Sequence, residues 1–463
     1  MLKNNRGIIL IITLFFLTKI FLIFFQENVW WDSAVYIGMG KYLFSYGNSG
    51  LWEASRPLIW PLILGFFWKL GFSILFFRVL ELFFAVGCIY LAYLIAKDVF
   101  NKKVALFSAL FLAFSPTFYF FSAILLSEIS SLFFALLSVY FFINKRFFLT
   151  GLFSGAAFMA RFLQLFVFIA MFFIFAFNYK KNRLLFKNFL SIVSGFFIVA
   201  APYLLFNHLV YNNAFYPFIL QKFLTENTGF VFHQPFWFYL INLLSENILA
   251  LISIFGLYLI IKNSPNFKQI TIASIFLIFF IFMNFINHKE MRILIVALPY
   301  LYIIASYPLN YIIEKLKTKN VLFYPFIILI FSILFLQSFS NIYALEYNEL
   351  QQKNKYAAFQ DYLGNDDIKG NIWISNPVFA LYTDKKINEL LYYPTFNTVK
   401  YNELKNKFKQ GSHVLIDTCD IACEPVAAAC PKEKAEFLTL LEENFNQVYH
   451  SKIGNCRQFI FTK

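Results

Sequence analysis

The sequence predicts a polytopic, all-α membrane domain followed by a small α/β domain. Three observations carry that expectation. Of 463 residues, 60% are hydrophobic and only 14% charged. Apolar runs long enough to cross roughly 30 Å of hydrocarbon recur along the chain. The composition then turns polar after about residue 341. The mean hydropathy of +0.64 is far from that of a soluble domain. The 67 phenylalanines are scattered through the apolar runs without a period, and read as lipid-facing and core filler.

The first run, Ile8 to Phe25, is too long for a signal-peptide core, and no small-residue cleavage site follows it. It is expected to remain as the first span. At roughly 17 to 25 residues per span, the chain accommodates about eleven. They fall near 8–25, 72–96, 104–120, 123–143, 147–160, 162–178, 188–206, 237–261, 269–286, 292–311 and 320–339. The formal charge of +14 could suggest nucleic acid, but the basic residues sit in short clusters between spans. These are Lys3/Arg6, Lys97/Lys102/Lys103, Lys145/Arg146, Lys180/Lys181/Arg183/Lys187, Lys262/Lys268 and Lys315/Lys317/Lys319. Such clusters orient spans, and taking them as cytoplasmic puts the N-terminus inside and the tail outside the cell membrane. The partner this implies is the bilayer, with no nucleic acid.

Three external connections follow: 26–71, 207–236 and "INHKEMR" at 286–292. The first mixes tryptophans with polar residues and "RPLIWP", and is expected to lie in the interface as short amphipathic helices. In the tail, "LEYNELQQKNKYAAFQDYL" and "PKEKAEFLTLLEENF" are patterned as helices, and "NIWIS", "HVLIDT", "QVYHSKI" and "RQFIFT" as strands. The expected division is a transmembrane domain over 1–340 and an extracytoplasmic α/β domain over 341–463. Of five cysteines, Cys88 lies in a span and reads as a buried apolar residue. Cys419, Cys423, Cys430 and Cys456 belong to the tail. An even number in an oxidising compartment favours two disulfides, with three pairings open. A four-cysteine zinc site is the rival, although "CDIACEPVAAAC" lacks paired CxxC knuckles.

The polar candidates converge on the external side: Asp32, Glu53, Arg56, Glu128, Arg161, His288, Lys289, Glu290 and Arg292. A charge at membrane depth costs about 2.5 to 3.5 kcal/mol on insertion scales, so Glu128 and Arg161, the deeper ones, need a reason. Asp32, in "WWDSAVYIGMGKYL", could simply cap a short helix. Alternatively it is a general base whose proton affinity is raised beside apolar tryptophans. "NHKEMR" could be a solvated loop of alternating charge. As a functional element, its Lys289 and Arg292 could clamp a lipid-linked phosphate, with His288 as a further donor. Arg78 and Glu81, three apart in the second span, read as a neutralising pair, and Lys19 as a residue snorkelling outward.

Ordered landmarks over about residues 1–310 resemble the membrane glycosyltransferases of the GT-C fold, particularly the protein O-mannosyltransferase and aminoarabinose-transferase branch. They are "WWDSAVYIGMGKYL", "RPLIWPLILGFFWKLG", "FRVLELFFAVGCIYLAYLIAKDVFNKKVALFSALFLAFSPTF", "LLSEISSLFFALLSVYFF", "GLFSGAAFMARFLQLF" and "PYLLFNHLVYNNAFYPF". "HKEMRILIVALPYL" is also similar to a stretch of dolichol-phosphate-mannose-dependent mannosyltransferases. The resemblance implies inverting transfer of a sugar, mannosyl-like, from a polyprenyl (dolichyl) monophosphate carrier to a glycan, lipid or protein acceptor on the external face. It implies Asp32 as the catalytic acid of the first loop, Glu128 and Arg161 as further site residues, and donor-phosphate binding by Lys289, Arg292, His288 and Arg161. Glu290 and Arg56 are expected in support. Many protein O-mannosyltransferases have two adjacent acids where this chain has Asp32 and Ser33. A divalent metal is conceivable, but the first loop has no DxD-type pair. The alternatives are a lipid-linked sugar flippase or transporter, for which internal repeats would be expected, and a non-catalytic scaffold.

Overall fold

The computed structural model describes residues 5–178, 184–228, 232–316, 323–352, 354–364, 368, 370–391, 411–423 and 429–463. The basic residues Lys3, Lys180, Lys181, Arg183, Lys317 and Lys319 lie outside these. In chain order the first helices are α1 (Arg6–Ile23), α2 (Trp31–Phe44), α3 (Ile59–Lys69), α4 (Ile74–Val99), α5 (Lys102–Ala113) and α6 (Pro116–Phe121). Then come α7 (Ser127–Ile143), α8 (Phe147–Ala160), α9 (Leu165–Asn178), α10 (Leu184–Tyr211), α11 (Tyr216–Thr228) and α12 (Phe238–Glu246). The last are α13 (Leu249–Lys262), α14 (Phe267–Phe285), α15 (Leu298–Leu316), α16 (Phe323–Leu350), α17 (Ala357–Leu363) and α18 (Cys430–Asn444). Five strands accompany the tail helices: β1 (Ile372–Ile374), β2 (Ile387–Leu390), β3 (His413–Asp417), β4 (Asn446–Ile453) and β5 (Cys456–Thr462). The chain forms two compact units.

The first unit joins Met1–Gln26, Ile74–Phe215 and Phe232–Gln352 and is a helical membrane domain. Among the described residues four helices are long and apolar enough to cross a membrane unaided, or up to five if one bent pair counts as a single span. Other expected spans are shorter or interrupted helices. The run at 104–120 breaks between α5 and α6, where Pro116 opens the new helix. The run at 237–261 breaks between α12 and α13, which meet at 107°. Of the run at 320–339, the described part from Phe323 belongs to α16, which continues past the expected domain boundary to Leu350.

A break at membrane depth must have its backbone groups satisfied by protein. α16 does this for the α12–α13 break. Gln337 accepts from Ile248 N (3.2 Å) and donates to the Leu244 and Ser245 carbonyls. Asn341 donates to the Ser245 carbonyl (2.7 Å), and Asn247 donates to Ser338 Oγ (2.8 Å). Elsewhere small residues let helices meet. A Cβ on Gly151 would stand 1.9 Å from the Ile192 carbonyl oxygen, so "GLFSG" is the crossing of α8 over α10. Lys19 does not snorkel outward. It is 1% exposed and pairs with Glu346 of α16, an inward acid that the local sequence does not reveal.

The second unit joins Glu27–Ser73, Tyr216–Val231 and Lys353–Lys463. Its sheet has the order β2-β1-β3-β5-β4, with β1 parallel to β2 and β3, and β5 antiparallel to β3 and β4. The strand β2, "INEL", is the one that the sequence reading did not anticipate. Alternation with period two gives the sheet two apolar faces. Ile372, Ile374, Leu415 and Ile460 share one cluster with Phe359 and Phe379, and that cluster also contains Ala34, Val35 and Met39 of α2. Trp373, Val414, Ile416, Phe459 and Phe461 form the other with Phe437 and Leu441 of α18.

Disulfides join Cys419 to Cys456 and Cys423 to Cys430, while Cys88 is free and buried. The first bond closes a sequence separation of 37. By loop-closure entropy it should stabilise this unit by about 4 kcal/mol. Cys419→Ser/Cys456→Ser should therefore lower the midpoint of the unit's thermal unfolding by more than ten degrees. A shift under two degrees would contradict this.

Candidate active site

Charged residues gather in each unit. In the membrane unit the centre is Glu128, the second residue of α7, fully buried. The start of α7 is held from α4. Glu81 accepts the backbone N–H groups of Leu125 and of Leu126 (3.0 Å), and Leu125 has a left-handed φ of 66°. Instead of serving only as a partner for Arg78, Glu81 thus anchors the turn before Glu128; Arg78 donates to the Gln26 carbonyl.

Arg161 stands at the corner where α8 ends and a short 3-10 turn leads into α9. Its Nη1 lies 2.8 Å from Glu128 Oε1, and Arg292 Nε lies 3.5 Å from the same oxygen. Arg292 also grips Glu290 through Nε (2.7 Å) and Nη2 (2.9 Å), and His288 Nε2 lies 2.7 Å from Glu290 Oε1. Four of the residues named from sequence, Glu128, Arg161, Glu290 and Arg292, are therefore one chain of ion pairs, with His288 at its end. Lys289 turns elsewhere. It is 3% exposed, and its ammonium donates to the Gln234 carbonyl at 2.9 Å.

Backbone pairing fixes this loop: Lys289 N donates to the Phe232 carbonyl and Gln234 N to the Asn287 carbonyl. Tyr239 of α12 adds a clamp, its hydroxyl bonding both the carbonyl and the N–H of Glu290. The sequence offers no sign of Tyr239 or Gln234 as supports, since both act through contacts that only the fold makes. The arginines remain reachable, with side-chain exposures of 18% for Arg161 and 15% for Arg292, whereas Glu128 is at 1%. Glu128 Oε2 has no hydrogen-bond donor among the described residues. An approaching ligand would meet cations first.

Burial alone would raise the Glu290 carboxyl, but the His288 hydrogen bond and the Arg292 charge outweigh it and bring the pKa to about 2. A depressed carboxylate stabilises the fold above its unfolded value and loses that contribution as pH falls through its folded value. The window is pH 4.5 down to about 2, and the contribution is about 3 kcal/mol. Glu290→Gln should flatten the loss of thermal stability between those pH values, as read by unfolding midpoints at pH 5 and pH 3. An unchanged slope would contradict the pairing.

In the second unit Asp32 lies in the first turn of α2. It is not the cap: Trp30 holds that place, and makes no side-chain capping bond. Instead Arg56 Nη2 binds Asp32 Oδ1 at 2.7 Å while its Nε binds Glu53 Oε1 at 3.2 Å, and the guanidinium sits over the Tyr36 ring. Ser55 donates to Glu53 Oε1 at 2.8 Å. Arg56 thus bridges the two acids, one cation between two carboxylates.

Residues 55–206 match the family described as Dolichyl-phosphate-mannose-protein mannosyltransferase. That stretch contains Arg56, Glu128 and Arg161; Asp32 and the 288–292 loop lie outside it. No curated protein matches the sequence. The structure is similar to ArnT from Cupriavidus metallidurans bound to undecaprenyl phosphate, at TM-score 0.70 and 10% identity, covering 98% of each chain. It is similar to the oligosaccharyltransferase AglB from Archaeoglobus fulgidus in complex with an inhibitory peptide and a dolichol-phosphate, at TM-score 0.56 and 12% identity, covering 98% of this chain and 74% of that one. A further likeness, to the arabinofuranosyltransferase AftD from Mycobacteria, has TM-score 0.53 and 11% identity and covers 99% of this chain and 41% of that one. Residues 55–206 are thus similar to the dolichyl-phosphate-mannose-protein mannosyltransferase family, and the backbone as a whole has the ArnT-like GT-C fold.

Proposed function

We propose that the protein transfers a sugar, with inversion, from a polyprenyl monophosphate carrier to an acceptor hydroxyl on the external face of the membrane. The family match across Arg56, Glu128 and Arg161 carries this reading. The acceptor oxygen attacks the anomeric carbon as its bond to the phosphate oxygen breaks. The electron pair leaves with the lipid phosphate, and the acceptor proton passes to Asp32.

Negative charge is then held on the leaving phosphate, where cations are most useful. Arg161 and Arg292 are proposed for that task, since a guanidinium binds phosphate bidentately. Counting Glu128, Glu290, Arg161, Lys289 and Arg292, two acids face three cations, an excess of one positive charge. His288 supplies a further donor, and Lys289 supports the loop. Glu128 keeps the arginines apart and oriented, and its Oε2 is suited to accept a sugar hydroxyl. Arg56 orients Asp32.

The N-terminus is proposed to be cytoplasmic and the tail extracytoplasmic, which agrees with two disulfides in the tail, a bond kept in oxidising compartments.

Purified full-length protein incubated with radiolabelled polyprenyl-phosphate sugars and a cell extract tests the reading. Transfer of label to acceptor supports it. Movement of the labelled lipid across vesicles with no transfer would replace it with a flippase.

A further inference from the structure

We infer that the C-terminal α/β fold acts as the scaffold that aims Asp32, with Lys41 as the positioning residue that fastens α2 to it. This rests on the reading of Asp32 as the base. All the contacts involved lie within the second unit.

Lys41 is the unexpected residue. A lysine is rarely buried without partners, yet its side chain is 7% exposed at the eleventh position of a helix made mostly of apolar residues. An ammonium has three protons to donate. Here they have three acceptors, all in the tail: the Ala380 carbonyl (3.2 Å), the Thr383 carbonyl (3.1 Å) and Asp384 Oδ1 (2.9 Å). Asp384 itself is 76% exposed, so the two buried carbonyls hold the ammonium in place and the acid adds little.

The rest of the helix is seated to match. Ser33 through Lys41 are all buried. Ala34, Val35 and Met39 fill the sheet cluster beside Phe359, Phe379 and Ala380. Gly50, at φ 73°, accepts from Ile387 N (2.8 Å) and donates to the Lys385 carbonyl (3.1 Å), which joins the loop after α2 to the strand β2. A Cβ there would stand 2.1 Å from the Gly38 carbonyl oxygen, so only glycine serves. Helix α2 is therefore one layer of the tail's own core. Asp32 sits at one end of it, and Lys41 nine residues on, roughly 13 Å along the axis. A misplacement of about 1 Å at a reacting group can cost about 10²-fold in rate. A helix held at its far end transmits any slippage there to Asp32.

Lys41→Met keeps the length and apolar stem and removes all three bonds. Its kcat for sugar transfer should fall about 10- to 100-fold. The KM for the lipid-linked donor should stay within about twofold, because the cations proposed for the phosphate do not depend on α2. A cross-link separates positioning from general destabilisation. The Cβ built on Gly38 lies 3.6 Å from Ala380 Cβ, within the spacing of a disulfide; it also stands 2.9 Å from Leu51 Cγ, so Leu51 must shift to admit it, a cost that the single Gly38→Cys variant measures. Gly38→Cys/Ala380→Cys, oxidised in the Lys41→Met protein, should return kcat to within about threefold of the same pair with Lys41 intact. The single cysteine variants serve as controls and should give no recovery.

Wild-type kcat in Lys41→Met, or no recovery when the cross-link forms, overturns the scaffold role. If Lys41→Met does not fold, the cross-linked pair with Lys41 intact decides. Retained kcat relative to the single cysteines supports an α2 that works while fixed to the tail, and lost kcat overturns it. Asp32→Asn is the control on the underlying reading. Normal turnover in it removes the base assignment and this inference together, whereas a dead Asp32→Asn beside a wild-type Lys41→Met removes the scaffold role alone.

Discussion

Asp32→Asn should lower kcat for sugar transfer by 10² to 10⁴ while donor binding stays intact. A placed general base is worth that range when the nucleophile is a hydroxyl. Asparagine has nearly the same shape, and its carbonyl oxygen can still accept from Arg56, now 2.7 Å from Asp32. The variant should consequently fold, keep α2 in place and lose only the capacity to take a proton. Two measurements check this: steady-state transfer from a radiolabelled polyprenyl-phosphate sugar, and separate binding of polyprenyl phosphate to the purified protein. A kcat within threefold of wild type would exclude Asp32 as the base. Loss of donor binding in parallel would assign it to the donor site instead.

The second large effect is expected at Arg161. Arg161→Met leaves Glu128, fully buried, with Arg292 at 3.5 Å as its remaining ion-pair neighbour. Removing one partner of a buried pair typically costs about 3 to 5 kcal/mol when the other charge is left alone, and here Arg292 should hold the loss toward the lower end. A lost charge-assisted bond to a phosphate costs a further 1.5 to 3 kcal/mol of binding, or about 10- to 150-fold in Kd. The two consequences are separable. Glu128→Gln added to Arg161→Met should restore much of the thermal stability, because no unpaired charge remains, but should leave the Kd for polyprenyl phosphate weak. Arg161→Lys should keep the charge and lose the fork, giving an intermediate affinity. Recovery of affinity together with stability in the double variant would mean that Arg161 acts only as a counter-ion to Glu128.

The helical membrane class was legible because it depends on composition and run length, which survive without knowledge of contacts. The tail strands were legible from alternation, as in Val414, Leu415 and Ile416, whose side chains divide between two clusters. The short β2 was not, since "INEL" has one buried residue and takes its strand form from pairing with β1. Breaks within apolar runs were also hidden. Asn247 and Ser115 look like ordinary polar residues at a span edge until Ser338 and Glu246 are seen bonding them. At the site, residue types and proximity in "HKEMR" were sufficient to mark His288, Glu290 and Arg292, but not to tell that Lys289 would turn to a carbonyl. Its fate depends on Gln234, more than 50 residues away, and no local pattern encodes that. Of the two readings open for Asp32, the cap is taken by Trp30, and Asp32 is instead paired with Arg56, 24 residues on, which no local pattern encodes.

The polar side chains of α16 carry a lesson for anyone engineering this protein for sturdiness. By hydropathy, Gln337, Ser338 and Asn341 look like blemishes in an otherwise greasy segment, and a design that maximised lipid solubility would convert them to leucine. Each conversion would strip partners from the corner that they seal, leaving the Leu244 and Ser245 carbonyls, the Ile248 amide or the Asn247 side chain without those bonds where α12 and α13 meet. Unsatisfied groups of that kind cost several kcal/mol apiece. A more hydrophobic helix here would make a less stable protein.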